Sequence, residues 1–117
     1  MSSSSAQKAH PLTERLIRDV RGHPLDGPVI EVGTGSGRNT RALVDAGIPN
    51  VGVPDSTPYT QLPGSREMYG GALSTHAYLH GASAKLRAGI AELRRVLRRG
   101  APSYITCLLY TSDAADD

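Results

Sequence analysis

The segment Val29-Ile30-Glu31-Val32-Gly33-Thr34-Gly35-Ser36-Gly37 constrains this chain more than any other. Val29, Ile30 and Val32 read as a short apolar strand, and Arg38 to Ala46 as a helix closed by Gly47, so the glycines fall at a strand-to-helix turn. Three glycines at alternate positions permit a tight turn without a Cβ penalty and let a ligand approach the main chain. A carboxylate, Glu31, stands two residues before the first of them. In α/β sheets a turn of this kind is where ligands bind.

The spacing separates the classes of nucleotide loop. A dinucleotide fingerprint asks for glycine at the first, third and sixth positions; counted from Gly33 the sixth is Arg38, and counted from Gly35 it is Thr40. No Gly-Lys-Ser or Gly-Lys-Thr triplet occurs, which removes the phosphate loop of kinases and ATPases. An acidic-x-Gly-x-Gly-x-Gly pattern remains, and a glycine turn that holds no ligand is the plain alternative.

The rest of the chain frames this loop. Its 117 residues allow one domain at most. With five Tyr and neither Phe nor Trp, the core is expected from Val, Ile, Leu and Ala, which suits helices on a parallel sheet. No apolar run approaches the length of a membrane span, and Met1 to Ser5 lacks the charged and apolar regions of a signal peptide, so a cytoplasmic location is the default expectation. Residues 1–9 are serine-rich and aperiodic and read as a disordered lead. Leu12, Leu16, Ile17 and Val20 then define a helix that opens at Pro11 and stops at Gly22. Val51-Gly52-Val53 is a second short strand. From Asp55 to Gly71, Pro58, Pro63, Gly64 and Gly70 argue for a loop that crosses directly to a strand at Gly71 to Ser74. Ser83 to Arg99 is an amphipathic helix with Leu86, Ile90, Leu93, Val96 and Leu97 on one face. Ser103 to Thr106 is the last strand.

Residues 107–117 break this pattern. The string resembles a translated sequencing adapter, is set apart as a non-native tail, and contains the single cysteine, Cys107. Three of the eleven acids (Asp113, Asp116, Asp117) lie in it, leaving eight acids against thirteen bases before it, a charge of +5 instead of +2. The expected organisation is a lead at 1–9, a partial domain at 10–106 and the tail, with the natural protein expected to continue beyond Thr106.

With the loop, the strand ending in Ser74-Thr75-His76 and the element order in place, the chain resembles the class I S-adenosylmethionine-dependent methyltransferases from Leu12 to Thr106. The resemblance implies a three-layer, Rossmann-like α/β fragment with a mostly parallel sheet of about four strands, in the spatial order second, first, third, fourth. It implies S-adenosyl-L-methionine as cofactor, held by Glu31, Gly33, Thr34, Gly35, Gly37, Asp55 and Ser74. Glu31 would face the cofactor's amino group and Asp55 the ribose, although the family's acid usually follows the strand directly, where Pro54 stands here. A solvated turn aspartate is the alternative for Asp55. The family's third strand, its adenine-contacting acid, the aspartate expected near Gly70 and its Pro-Gly-Gly turn have no counterpart.

Methyl transfer needs orientation more than acid-base machinery, so no triad is expected. The catalytic residue is unknown, with His76 as a candidate proton acceptor beside the reading in which it only packs. His76 and His80 have the spacing of helical metal ligands but lack a third partner, so no metal is expected. The acceptor is expected to be a small molecule. Arg87, Arg94, Arg95, Arg98 and Arg99 suggest a phosphate-binding stripe for nucleic acid, but no aromatic residue is interleaved for stacking, and a solvated helix face accounts for them as well. A non-catalytic cofactor-binding remnant and an NAD-binding oxidoreductase fragment are the remaining alternatives.

Overall fold

The structure, a computed structural model, describes residues 8–79 and 82–106. The expected lead, tail, Cys107 and His80 therefore lie wholly or mostly outside the described residues. Four parallel strands form one sheet: β1 (Val29–Val32), β2 (Asn50–Val53), β3 (Gly71–Ser74) and β4 (Ser103–Ile105), in the order β2-β1-β3-β4. This is the order that the resemblance implied. Val29 lies opposite Asn50 on one side and Gly71 on the other, so β1 is central.

Helices cover both faces. α1 (Pro11–Gly22) and α2 (Arg38–Asp45) lie on one face, where Leu16, Val29, Leu43, Ile48 and Leu73 pack together. α3 (Ser83–Val96) and the long β2–β3 connection cover the other, against Ile30, Val32, Val53 and Ala72. Neighbours in β1 and β3 alternate between the two clusters, as the strand period of two requires. Both strands are buried at every position, which explains their continuous apolar reading. Among the described residues no helix is long and apolar enough to cross a membrane.

Local chemistry sets the boundaries. His10 caps α1 by accepting the Leu12 amide on Nδ1 at 3.0 Å, with Pro11 at the first helical position. α2 closes at Ala46 and reverses through Gly47. α3 ends at Val96, three residues before the expected Arg99, because Leu97 turns extended and pairs in parallel with Tyr69 while the Arg98 amide donates to the Tyr69 carbonyl.

The core is not purely aliphatic. Tyr59, Tyr69 and Tyr78 are all buried, and Tyr59 stacks on Tyr78 with ring centroids 4.6 Å apart. These rings belong to the core on the α3 side of the sheet, Tyr59 and Tyr69 from the β2–β3 connection and Tyr78 from the 3-10 turn Ala77–Leu79. The connection is fastened to α3 by a polar staple. Glu92 accepts the Leu62 amide, and Arg95 pairs with Glu92 while donating to the carbonyls of Leu62 and Gly64. The Arg95 guanidinium holds the Glu92 carboxyl below its ordinary range.

One close approach fixes the packing. A Cβ on Gly70 would stand 2.5 Å from the backbone nitrogen of Gly27, where nothing can move aside. Gly70→Ala should therefore cost about 3 kcal/mol or more in urea unfolding, whereas Gly22→Ala, in open space at the end of α1, should be neutral or stabilise by up to ~1 kcal/mol. Equal midpoints for the two variants would contradict this packing.

Candidate functional site

The site lies where β1 and its neighbours part. Register pairing of β1 with β3 ends at Glu31 opposite Leu73, and just beyond it the buried Ser74 hydroxyl donates to the Val32 carbonyl at 2.9 Å. On the other side the amides of Gly33 and Thr34 both reach the Val53 carbonyl, at 2.8 and 3.2 Å. The chain is thus swung from β1 across the end of β2 before α2 begins. Gly52 makes room for this crossing, since a Cβ there would meet the Thr34 methyl at 2.9 Å.

The loop then turns three times through left-handed backbone, with φ of 82° at Gly33, 52° at Gly35 and 88° at Gly37. L-residues with a Cβ rarely adopt these angles, so the alternate glycines are required by conformation as well as by space. Gly37 is the N-cap of α2, has no side-chain cap, and donates its amide to the Thr34 carbonyl.

Glu31 sits beneath this loop at 1 % exposure. One carboxylate oxygen accepts the Thr40 hydroxyl from α2; the other is buried and has no hydrogen-bond partner among the described residues. Burial raises its pKa above the ordinary 4.5, more than the Thr40 hydrogen bond and the nearby His76 lower it, and the Asp55 charge pushes in the same direction as burial. The orphaned oxygen has lost its water without gaining a donor, which is costly unless a ligand supplies one.

Asp55 and His76 close the mouth. The Gly35 amide donates to Asp55 Oδ1 at 3.3 Å, and His76 Nε2 lies 3.3 Å from the same oxygen. Both side chains remain substantially exposed. The His76 ring also overhangs the loop: Cβ atoms on Gly33 and Gly35 would come within 3.3 and 3.2 Å of it. Asp55, one residue later than the usual family position, thus reaches the loop itself, because Pro54 ends β2 and the chain bends inward.

A cleft of about 350 Å³ opens here, lined by Gly33, Pro54, Asp55, Tyr59, His76 and Lys85 among others. Lys85 Nζ stands 5.0 Å above the Tyr59 ring. A cavity of about 580 Å³ adjoins it across Pro54 and Thr57.

The structure brings Glu31, Gly33, Thr34, Gly35 and Asp55 together with His76. Gly37 stands at the edge as a helix cap, and the Ser74 hydroxyl is spent on the strand end below, so it holds β1 to β3. His76 is followed by a 3-10 turn, Ala77–Leu79, and His80 lies outside the described residues. Among the described residues no group of three metal-ligating side chains forms. Sequence reasoning passed over Thr40, nine residues beyond Glu31, and Asn39, whose amide joins the His10 backbone nitrogen to the Thr75 hydroxyl and so ties α1, α2 and the β3 exit together. Tyr59 and Lys85 carried no motif at all.

No protein-family model matches the chain, and no curated protein does. Solved structures do. A protein from Methanococcus maripaludis described as a "putative s-adenosyl-l-methionine-dependent methyltransferase" aligns with a TM-score of 0.56 at 14% identity, over 91% of this chain and 62% of its own. A protein from Thermotoga maritima described as a "SAM-dependent methyltransferase, possible histamine N-methyltransferase" aligns with a TM-score of 0.49 at 17% identity, over 76% and 48%. The chain has the three-layer, Rossmann-like α/β fold of a methyltransferase. It spans less than two thirds of the length of either protein.

The desolvated Glu31 makes a signed prediction. Below pH 4.5 its carboxyl is protonated in folded and unfolded chain alike; as pH rises toward its higher folded value, the unfolded chain ionises more readily and stability falls. Glu31→Gln should therefore gain in Tm relative to the parent as pH is raised from below 4.5 to neutral. A difference that stays flat or shrinks with pH would mean that the carboxylate is not desolvated by folding.

Proposed function

We propose that this chain is the cofactor-binding part of a class I S-adenosylmethionine-dependent methyltransferase that acts on a small-molecule acceptor. The observation that carries the reading is the buried, half-satisfied Glu31 carboxylate beneath three left-handed glycines at the point where β1 and β3 part. A cationic amino group is the partner that such an oxygen lacks, and a glycine cradle admits a ligand against the backbone. The description of the Methanococcus maripaludis protein points the same way.

In this proposal Gly33, Thr34 and Gly35 cradle the methionine end, Glu31 pairs with its amino group, and Asp55 receives the ribose hydroxyls. Bound S-adenosylmethionine supplies a methyl group already made electrophilic by its sulfonium. The protein's share is to hold the acceptor in line and to exclude water, through Tyr59, Pro54 and the Tyr78 ring behind them. His76 Nε2, at the mouth 3.3 Å from Asp55 Oδ1, would accept the proton that the acceptor loses as it is methylated. Gly37 and Ser74 serve the cofactor indirectly, by starting α2 and by fixing the end of β1. The adjoining cavity beyond Pro54 and Thr57 gives the acceptor room, and its dimensions favour a small molecule over a polymer.

Calorimetric titration of S-adenosylhomocysteine against NAD tests the assignment. Homocysteine-analogue binding without NAD binding is expected, and the reverse would sink the proposal. Gly35→Val places a Cβ in strained backbone beside the His76 ring and should abolish binding, while Glu31→Gln should weaken it about tenfold by removing a charge-assisted contact. Undiminished binding in Gly35→Val would mean that the loop is not the site.

A further inference from the structure

At the opposite edge of the sheet, α3 delivers its C-terminus and β4 begins, and a second concavity of about 690 Å³ forms there. Five of its eleven lining residues are arginines. Arg66 comes from the β2–β3 connection, Arg94 and Arg95 from the last turn of α3, and Arg98 and Arg99 from the α3–β4 turn. Glu67 is the one acidic residue that lines it.

Only Arg95 is committed elsewhere, to Glu92 and to the Leu62 and Gly64 carbonyls. Among the described residues no carboxylate lies within ion-pair distance of Arg66, Arg94, Arg98 or Arg99. Cations in a last helical turn offset the negative end of the helix dipole, which accounts for Arg94 and Arg95. It does not account for Arg66, Arg98 and Arg99, which arrive from two other stretches of chain. Those stretches are pinned together: the Glu67 amide donates to the Arg95 carbonyl, the Arg98 amide to the Tyr69 carbonyl, and the Ala101 amide to the Arg98 carbonyl, closing a tight turn. Glu67 holds this rim with φ at 56°, the single non-glycine left-handed residue among those described. Four exposed guanidiniums without a carboxylate partner among the described residues thus border one hollow.

We propose that this hollow binds a compact anion bearing two or more phosphate groups. Guanidinium forks match phosphate oxygens in geometry, and several around one cavity select for multiple charge. The concave shape suits a small polyanion, and among the described residues the wall has no aromatic side chain on which nucleobases could stack, so a phosphate chain is recognised rather than a nucleic-acid strand. The site lies at the far edge of the sheet from the glycine loop and does not depend on the methyltransferase reading.

Calorimetry on the full chain at low ionic strength tests this with inorganic pyrophosphate, orthophosphate and a mixed-sequence single-stranded RNA as probes. Pyrophosphate should bind about tenfold more tightly than orthophosphate, and the Arg98→Ala/Arg99→Ala variant should lose about tenfold in that affinity with its circular dichroism unchanged. Glu67→Gln should tighten binding, an effect that cations serving only the helix dipole would not produce. Three results would overturn the proposal: equal affinity for pyrophosphate and orthophosphate, undiminished pyrophosphate binding by the double variant, or RNA binding through these arginines without pyrophosphate binding.

Discussion

Where β1 ends, its two neighbours compete for the chain, and the outcome shapes the whole candidate site. The Val53 carbonyl takes the amides of both Gly33 and Thr34, while the Ser74 hydroxyl takes the Val32 carbonyl that β3 has ceased to pair. The Gly33 amide makes the last rung of the β1–β2 ladder, and the Thr34 and Ser74 bonds lie outside it. Together they satisfy backbone groups that a parallel strand would otherwise leave exposed at its end, with an acceptor on the β2 side and a hydroxyl donor on the β3 side. The loop is pulled toward β2, the β3 side is sealed low, and a crevice opens between them. That crevice exists because strand order reverses at β1, which sends the following connections to different faces of the sheet.

Electrostatics inside the crevice follow from that geometry. Glu31 is carried under the loop by its register on β1, alternate to Ile30 and Val32, which fill the α3 side. Thr40 can reach it only because α2 starts at Gly37 and returns over the same face. One hydroxyl cannot replace the solvation lost by two oxygens, so the carboxyl binds its proton more tightly than it would in water. Asp55 adds repulsion, and the imidazole of His76 stands between the two acids as a partial counterweight. Such an arrangement is destabilising for a folded chain by itself and favourable for a ligand that brings a cation.

Much of this was legible in residue order. The buried runs at Val29 to Val32 and Gly71 to Ser74, the glycine spacing and the helix caps at Pro11 and Gly47 are local signals, and each element stands within a few residues of its expected place. What was illegible depended on distant partners. The core was expected from aliphatic side chains, yet the β2–β3 connection lays Tyr59 and Tyr69 over the sheet and the 3-10 turn after β3 adds Tyr78. The end of α3 moved back to Val96 because Tyr69, twenty-eight positions before Leu97, offers it a bridge. Asp55 lay one residue beyond the usual family position, yet the bend at Pro54 brings it to the Gly35 amide. Ser74 belonged to a suggestive motif, but its hydroxyl turns toward the strand next to it.

The same parallel sheet explains why two dissimilar clusters of charge stand apart in one small chain. Every strand runs the same way, so all strand-to-helix turns gather at one edge and all helix-to-strand turns at the other. The first edge collects residues that follow strands, where backbone amides and short side chains point outward, and it has gathered a carboxylate pair and glycines. The second collects helix C-termini and the turns after them, where arginines are favoured by the helix dipole and by the length of their side chains. Basic residues placed there stay far from Glu31 and Asp55 and cannot neutralise them. Had the arginines of α3 faced the glycine loop, Glu31 would have found an internal partner and its orphaned oxygen would carry no information about a ligand. Because they do not, the unpaired acid at one edge and the unpaired bases at the other each call for a partner from outside the described chain.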